Sequence, residues 1–176
     1  MIGLRHLHEE PFRRRIGLVL LLWTLAVAFM LTLTPFRFDL ATASFGRIDW
    51  RLYYRRPSGA LAVNRDFVLN LAMLSPLGAG WALLRGSRGM GRIALEAALL
   101  GLTTSTMIET IQIFEPSRCP QLADVWRNTA GCLAAAATVA WLVPRVLGAA
   151  AETVGRGMLD HDYAERVVVT NPVSRP

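Results

Sequence analysis

The chain has 176 residues, 53% of them hydrophobic and only 18% charged, and its mean hydropathy is +0.35. Two cysteines are too few for a disulfide scaffold, and the low charge excludes a disordered chain. A net charge of +6 would suit nucleic acid in a soluble protein, but all 19 basic residues are arginines gathered mainly at the ends of apolar runs. That placement is membrane anchoring, and no nucleic-acid partner is expected.

A helix needs about 20 apolar residues to cross the roughly 30 Å hydrocarbon core. Residues 16–34 make the first such run, uncharged, between Arg13-Arg14-Arg15 and Pro35. The run is longer than a signal peptide's apolar core, and Ala41-Thr42-Ala43 lies well beyond it, so a retained span is expected. The loop 35–66 then interleaves aromatic residues with arginines, in Phe36-Arg37-Phe38 and Trp50-Arg51-Leu52-Tyr53-Tyr54-Arg55-Arg56. Such a segment suits the headgroup layer, and an ordinary interfacial anchor explains it more simply than a ligand site does.

Residues 67–84 are the second run, with Pro76 inside it, and residues 93–113 the third, with Glu96 and Glu109. The fourth, residues 125–143, opens with Arg127 and Asn128 and has an Ala-rich middle. The expected fold is all-α, a polytopic integral membrane protein built as a four-helix transmembrane bundle over residues 16–146. Residues 1–15 are expected to be a cytoplasmic N-terminal segment, and residues 147–176 a cytoplasmic, partly disordered tail. Arginines before the first helix, and Arg85, Arg88 and Arg92 between the second and third, predict an N-in/C-in orientation in the cytoplasmic membrane. Arg37, Arg47, Arg51, Arg55, Arg56 and Arg65 in the first loop argue the other way.

Polar residues inside apolar runs need a reason, because a charge costs about 2.5–3.5 kcal/mol to insert. Asp66 and Asn70 share one face of the second helix; Ser105, Glu109 and Gln112 share one of the third; Asp124, Asn128 and Gly131 share one of the fourth. With the helices alternating in direction, Asn70, Glu109 and Asn128 fall roughly 4–6 Å beneath the same membrane boundary. Arg65, Arg118 and Arg127 share that level. Taken alone, Asp66 and Asp124 are better explained as helix N-caps, and Asn70 and Asn128 can be read as helix–helix hydrogen bonds. Glu96 is explained by its neighbour Arg92, one turn away. Glu109 resists such readings, because it sits at a helix C-terminus, the wrong end for an acid.

The ordered set of motifs is specific. Asp66-x-x-x-Asn70 followed by Pro76-Leu77-Gly78 resembles the first signature of the VanZ-like family. Ser105-x-x-x-Glu109-x-x-Gln112, then Arg118, Asp124-x-x-x-Asn128 and Gly131, resembles its second. Leu74-Ser75 stands where the family usually has Phe, and Gln121 where it often has an acid. The resemblance implies a cell-envelope protein in a family named for a teicoplanin-resistance protein, and leaves a resistance role for this chain open.

The expected ligand-binding set is therefore Asp66, Asn70, Ser105, Glu109, Gln112, Arg118, Asp124 and Asn128. The expected partners are membrane lipids, with anionic or glycan-bearing headgroups as candidate ligands. Binding is the first functional expectation. An acid/base enzyme using Glu109 and Asp124 is the second, with no nucleophile or metal set beside them, and a small transporter or scramblase the third. Arg118 is expected to pair with Glu109 or Asp124. His6-Leu7-His8 and Asp160-His161-Asp162 lack metal-site spacing, so no metal or cofactor is expected. Cys119 and Cys132 differ too much in depth for a disulfide. Gly131 and Ala134-Ala135-Ala136 give the fourth helix a small-residue face, for packing within one chain or between copies.

Overall fold

The computed structural model describes residues 2–40, 43, 45–54, 57–59, 63–86 and 88–170, with side chains over that range except 2–9 and 150–170. Its helices are α1 (Ile2–Leu33), α2 (Arg65–Met73), α3 (Ser75–Arg85), α4 (Met90–Gln112) and α5 (Leu122–Thr170), with a short 3-10 turn at Phe45–Arg47. The chain divides into two compact units, Met1–Ala140 and Trp141–Pro176.

Three of the expected boundaries move. α1 begins at Ile2 instead of residue 16, because charges end the apolar run without ending the helix. Glu10 pairs with Arg13 and Arg14 at 3.5 and 3.6 Å, one helical turn on. The single second helix of the sequence reading is two helices. Proline disfavours helical geometry in the residue before it, and the chain breaks at Leu74 (φ −98°, ψ 5°), with Pro76 in the first turn of α3. α5 runs through Pro144 to Thr170, where the sequence suggested a helix ending at 143 and a partly disordered tail. An interior proline costs about 3 kcal/mol, and the Ala, Leu and Glu that follow it are strong enough helix formers to carry the helix on. Residues 171–176 lie outside the described residues, as do Ala41, Thr42, Arg55 and Arg56 and the side chains of His6, His8, Asp160, His161 and Asp162.

Among the described residues, three segments are long and apolar enough to cross a membrane: Glu10–Leu33, Arg65–Arg85 and Leu122–Ala149. Within the first unit the core is made of small and mid-sized residues, Ala28, Leu74, Leu77, Ala82, Ile93, Ala97, Ile108, Cys132 and Ala136. Large apolar side chains point outward, among them Leu18, Val19, Leu22, Trp23, Leu95, Leu99 and Met107. Lipid is as apolar as leucine, so membrane helices associate through close backbone contact, which small residues permit. Glycines mark the crossings. A Cβ on Gly78 would stand 1.9 Å from the Cys132 carbonyl oxygen, and one on Gly131 1.7 Å from that of Leu71. Gly17 and Gly80 meet reciprocally, each 2.7 Å from the other's carbonyl oxygen by the same measure.

Candidate functional site: a polar pocket at one end of the bundle

The pocket stands where α2 and α5 begin. Asn64 caps α2, its Oδ1 accepting from Phe67 N at 3.0 Å. Asp66 and Asp124 therefore sit in the first turns of their helices, where an acid favours the helix dipole, and Asp66 is not the cap of α2 that the sequence allowed. A cavity of about 490 Å³ opens here, lined by Asp66, Leu69 and Asn70 of α2 and Asp124 and Arg127 of α5. Asn64, Gln121 and Tyr54, from the segments before those helices, complete the wall.

Asn70 hydrogen-bonds the Asp124 carboxylate, and Arg127 Nη1 donates to Asp124 Oδ1 at 3.1 Å. The Arg127 side chain is 4% exposed. Its guanidinium carbon lies within cation–π reach of three aromatic rings, 5.7 Å from Tyr54, 5.2 Å from Phe67 and 5.8 Å from Trp126. Its Nε has no hydrogen-bond partner. One buried cation, caged by rings, is thus paired with Asp124 in a cavity that Asp66 also lines.

The first loop supplies one wall because it docks on the chain between α4 and α5. Asp49 N donates to Pro120 O at 2.8 Å and Leu122 N to Asp49 O at 2.9 Å, a parallel bridge of Asp49 with Gln121. Arg47 donates to the carbonyls of Pro116 (2.7 Å) and Ile113 (3.2 Å), and Trp126 Nε1 to Leu52 O. Tyr54 OH donates to Asp49 Oδ2 at 2.6 Å and stands 3.0 Å from Gln121 Oε1. Burial, with the Asp49 carboxylate beside it, pushes the Tyr54 phenol up to about 12, so it remains a neutral hydroxyl. Asp49 is held well below the usual carboxylate range by the Arg51 side chain and Tyr54. The loop does more than anchor at an interface, although Phe45 and Trp50 remain largely exposed.

The other expected site residues divide into separate contacts. Ser105 and Asn128, both buried, pair directly, Asn128 Nδ2 donating to Ser105 Oγ at 2.9 Å. Glu109 Oε2 accepts from Gln121 N at 2.7 Å and feels the charge of Asp124, but it does not line the cavity. Gln112 Nε2 donates to Thr32 O at 2.9 Å, tying α4 to the end of α1. Arg118 is not the partner of Glu109 or Asp124 that the sequence suggested. Its guanidinium donates to Thr34 O at 2.7 Å and Leu31 O at 3.4 Å, because the unsatisfied carbonyls of the α1 C-terminus lie nearer. The partner of Asp124 is Arg127.

Of the cavity lining, Tyr54, Asn64, Leu69, Gln121 and Arg127 escaped the sequence reading of the site, and so did Glu115, a buried acid outside that lining. Glu115 is fully buried, accepting from Arg37 N (2.8 Å), Ser117 N (3.3 Å) and Ser117 Oγ (2.9 Å). Burial pushes its carboxyl up, and those hydrogen bonds, with Arg118 nearby, outweigh it and hold the group below its ordinary value. Cys119 is exposed and Cys132 buried, and both are free thiols.

Apolar spans with outward leucines, close glycine crossings and polar residues gathered at helix ends define a polytopic α-helical membrane protein. The VanZ/LLP1 family model matches residues 12–143, well over half of the chain, and the protein belongs to that family. No curated protein and no solved structure matches it.

Proposed function

We propose that the protein is a multi-pass protein of the cytoplasmic membrane that binds a glycan-bearing headgroup of a cell-envelope lipid in the pocket at the start of α2 and α5. The observation that carries this reading is the lining itself: carboxylates, amides, one phenol and one guanidinium around about 490 Å³. Sugar hydroxyls both donate and accept, and this set offers both functions at close range. Asp66 and Asp124 outnumber Arg127, which favours a neutral or amino-bearing sugar over a bare phosphate. α4 serves as a fourth span, its Leu95, Leu99, Leu102 and Met107 exposed along its length as a lipid-facing side chain would be. The arginines at the α3–α4 link support a cytoplasmic side for that end, and with it an outward-facing pocket.

Binding is preferred to acid/base catalysis because Glu109 lies off the cavity, bonded to the Gln121 amide. The test is equilibrium binding of a lipid-linked disaccharide to protein reconstituted in nanodiscs, beside the same lipid without sugar. Wild type should prefer the glycosylated lipid, and Asp66→Asn and Asn70→Ala should each weaken it about tenfold, the scale of one charge-assisted hydrogen bond. Equal partition of the two lipids sinks the reading; release of sugar or transfer across the bilayer replaces it with an enzyme or a transporter. A reporter fused after Arg88 should be cytoplasmic and one within residues 44–47 external, and the reverse would turn the pocket inward.

A further inference from the structure

The opposite end of the bundle carries a second cluster, at the α3–α4 link. Arg85, Arg88 and Arg92 all converge on one acid, Glu96. Glu96 Oε1 accepts from Arg88 Nη1 at 2.7 Å and Arg92 Nε at 3.1 Å; Oε2 accepts from Trp81 Nε1 at 3.2 Å, with Arg85 Nε at 3.3 Å. Arg85 also stacks on the Trp81 ring, 4.5 Å from its centre. α1 adds Arg13 and Arg14, which share Glu10. Arg13 lies against the backbone of Gly86, where a Cβ would stand 2.4 Å from its Cζ, so a larger residue there would push the flexible guanidinium aside.

We propose that this cluster is a binding site for the phosphate of an anionic phospholipid headgroup. Five arginines face two carboxylates, leaving a local excess of positive charge. Arg88 and Arg92 each reach Glu96 through one nitrogen, so further N–H groups of those forks stay available to an anion. Glu96 holds the forks of Arg88 and Arg92 in place, with Arg13 lying against Gly86 beside them, so the site is organised before a ligand arrives. The level fits a lipid. The spans Glu10–Leu33 and Arg65–Arg85 both end here, which puts the cluster at headgroup depth, with the Trp81 ring beside it as interfacial tryptophans lie. Glu96 and Glu109 are roughly 20 Å apart along α4, so this site stands independently of the polar pocket.

The experiment is native mass spectrometry of the purified full chain titrated with phosphatidylglycerol, phosphatidylcholine or inorganic phosphate. Wild type should retain phosphatidylglycerol about fivefold better than phosphatidylcholine, the scale of one arginine at an anionic surface. Arg92→Gln, at a 68% exposed position, should fold and lose much of that preference, and Arg88→Gln/Arg92→Gln should abolish it. Glu96→Gln keeps an oxygen to accept from the Arg88 and Arg92 forks but removes the negative charge beside the ligand, and should raise retention. Arg145→Gln, an exposed arginine stacked on Trp141, should change nothing. Equal retention of the two lipids by wild type overturns the proposal, as does an unchanged preference in folded Arg92→Gln. Displacement by millimolar inorganic phosphate would make it a site for the free ion and overturn the lipid assignment.

Discussion

The two ends of the bundle use the same residue types in opposite proportion. At the pocket end one arginine, Arg127, is buried among aromatic rings and paired with Asp124 in a cavity that Asp66 also lines. At the other end one acid, Glu96, is held by three arginines whose side chains are 35%, 35% and 68% exposed. Burial decides what each arrangement is worth. A buried charge must keep its partner, whereas an exposed one has water and headgroups to replace it. The pocket end is therefore a fixed, fragile construction, and the arginine end a tolerant surface whose value lies in what it attracts.

The sharpest break in that comparison comes from removing one arginine at each end. Arg127→Met should cost about 3–5 kcal/mol, the range for deleting one member of a buried pair, because Asp124 keeps its charge beside the cavity. Arg92→Gln should leave stability nearly unchanged. Thermal unfolding in detergent, followed by helical circular dichroism, gives both numbers. Equal losses at the two ends would mean that burial does not separate them.

The second break is at the crossings. Gly131→Ala places a methyl against the Leu71 carbonyl oxygen, within the segment that carries Asn70, and backbone cannot yield as a side chain can. We expect a loss of about 1–3 kcal/mol, as for an overpacked core, together with weaker headgroup binding. Gly91→Ala, inside α4 with nothing within 4 Å of the added methyl, should cost no stability and leave binding unchanged.

Much of the pocket end was legible because helical spacing is local. Asp66 with Asn70 and Asp124 with Asn128 were assigned to shared faces, and the structure joins Asn70 to Asp124 and Asn128 to Ser105. Arg127 was noticed only for its depth, since nothing local shows that rings from Tyr54, Phe67 and Trp126 will enclose it. Glu115 is illegible in the sequence for a similar reason. It looks like any loop acid until Arg37, 78 residues away, donates its amide. The break at Leu74 was written in Pro76, but the apolar run across it reads as one span by composition, and TM-length arithmetic cannot see a turn.

Glu115 gives a smaller effect, in pH. Its carboxyl is held below the ordinary value in the folded protein, so its contribution is present above the unfolded value and is lost as pH falls through the folded one. The melting temperature should therefore drop on acidification below about pH 4.5, the range where a free carboxyl titrates. Glu115→Gln should flatten that dependence. A wild-type profile that Glu115→Gln reproduces in full would assign the acid sensitivity to other carboxylates.

The smallest effect is expected at Arg118. Its side-chain bonds to the carbonyls of Thr34 and Leu31 both run from one nitrogen, Nη2, where α1 has run out of backbone donors. A planar fork is irreplaceable where it clasps a carboxylate or phosphate through two parallel bonds. Two carbonyls sharing one nitrogen ask less, and a lysine ammonium, with three donors on a flexible stem, can meet the same need. Arg118→Lys should then keep normal membrane abundance and normal binding of the glycosylated lipid. Arg118→Ala should lower abundance, because the carbonyls at the end of α1 lose their donor. If Arg118→Lys accumulates normally but no longer binds the lipid, the guanidinium reaches the ligand itself, and the pocket extends across the loop to the end of α1.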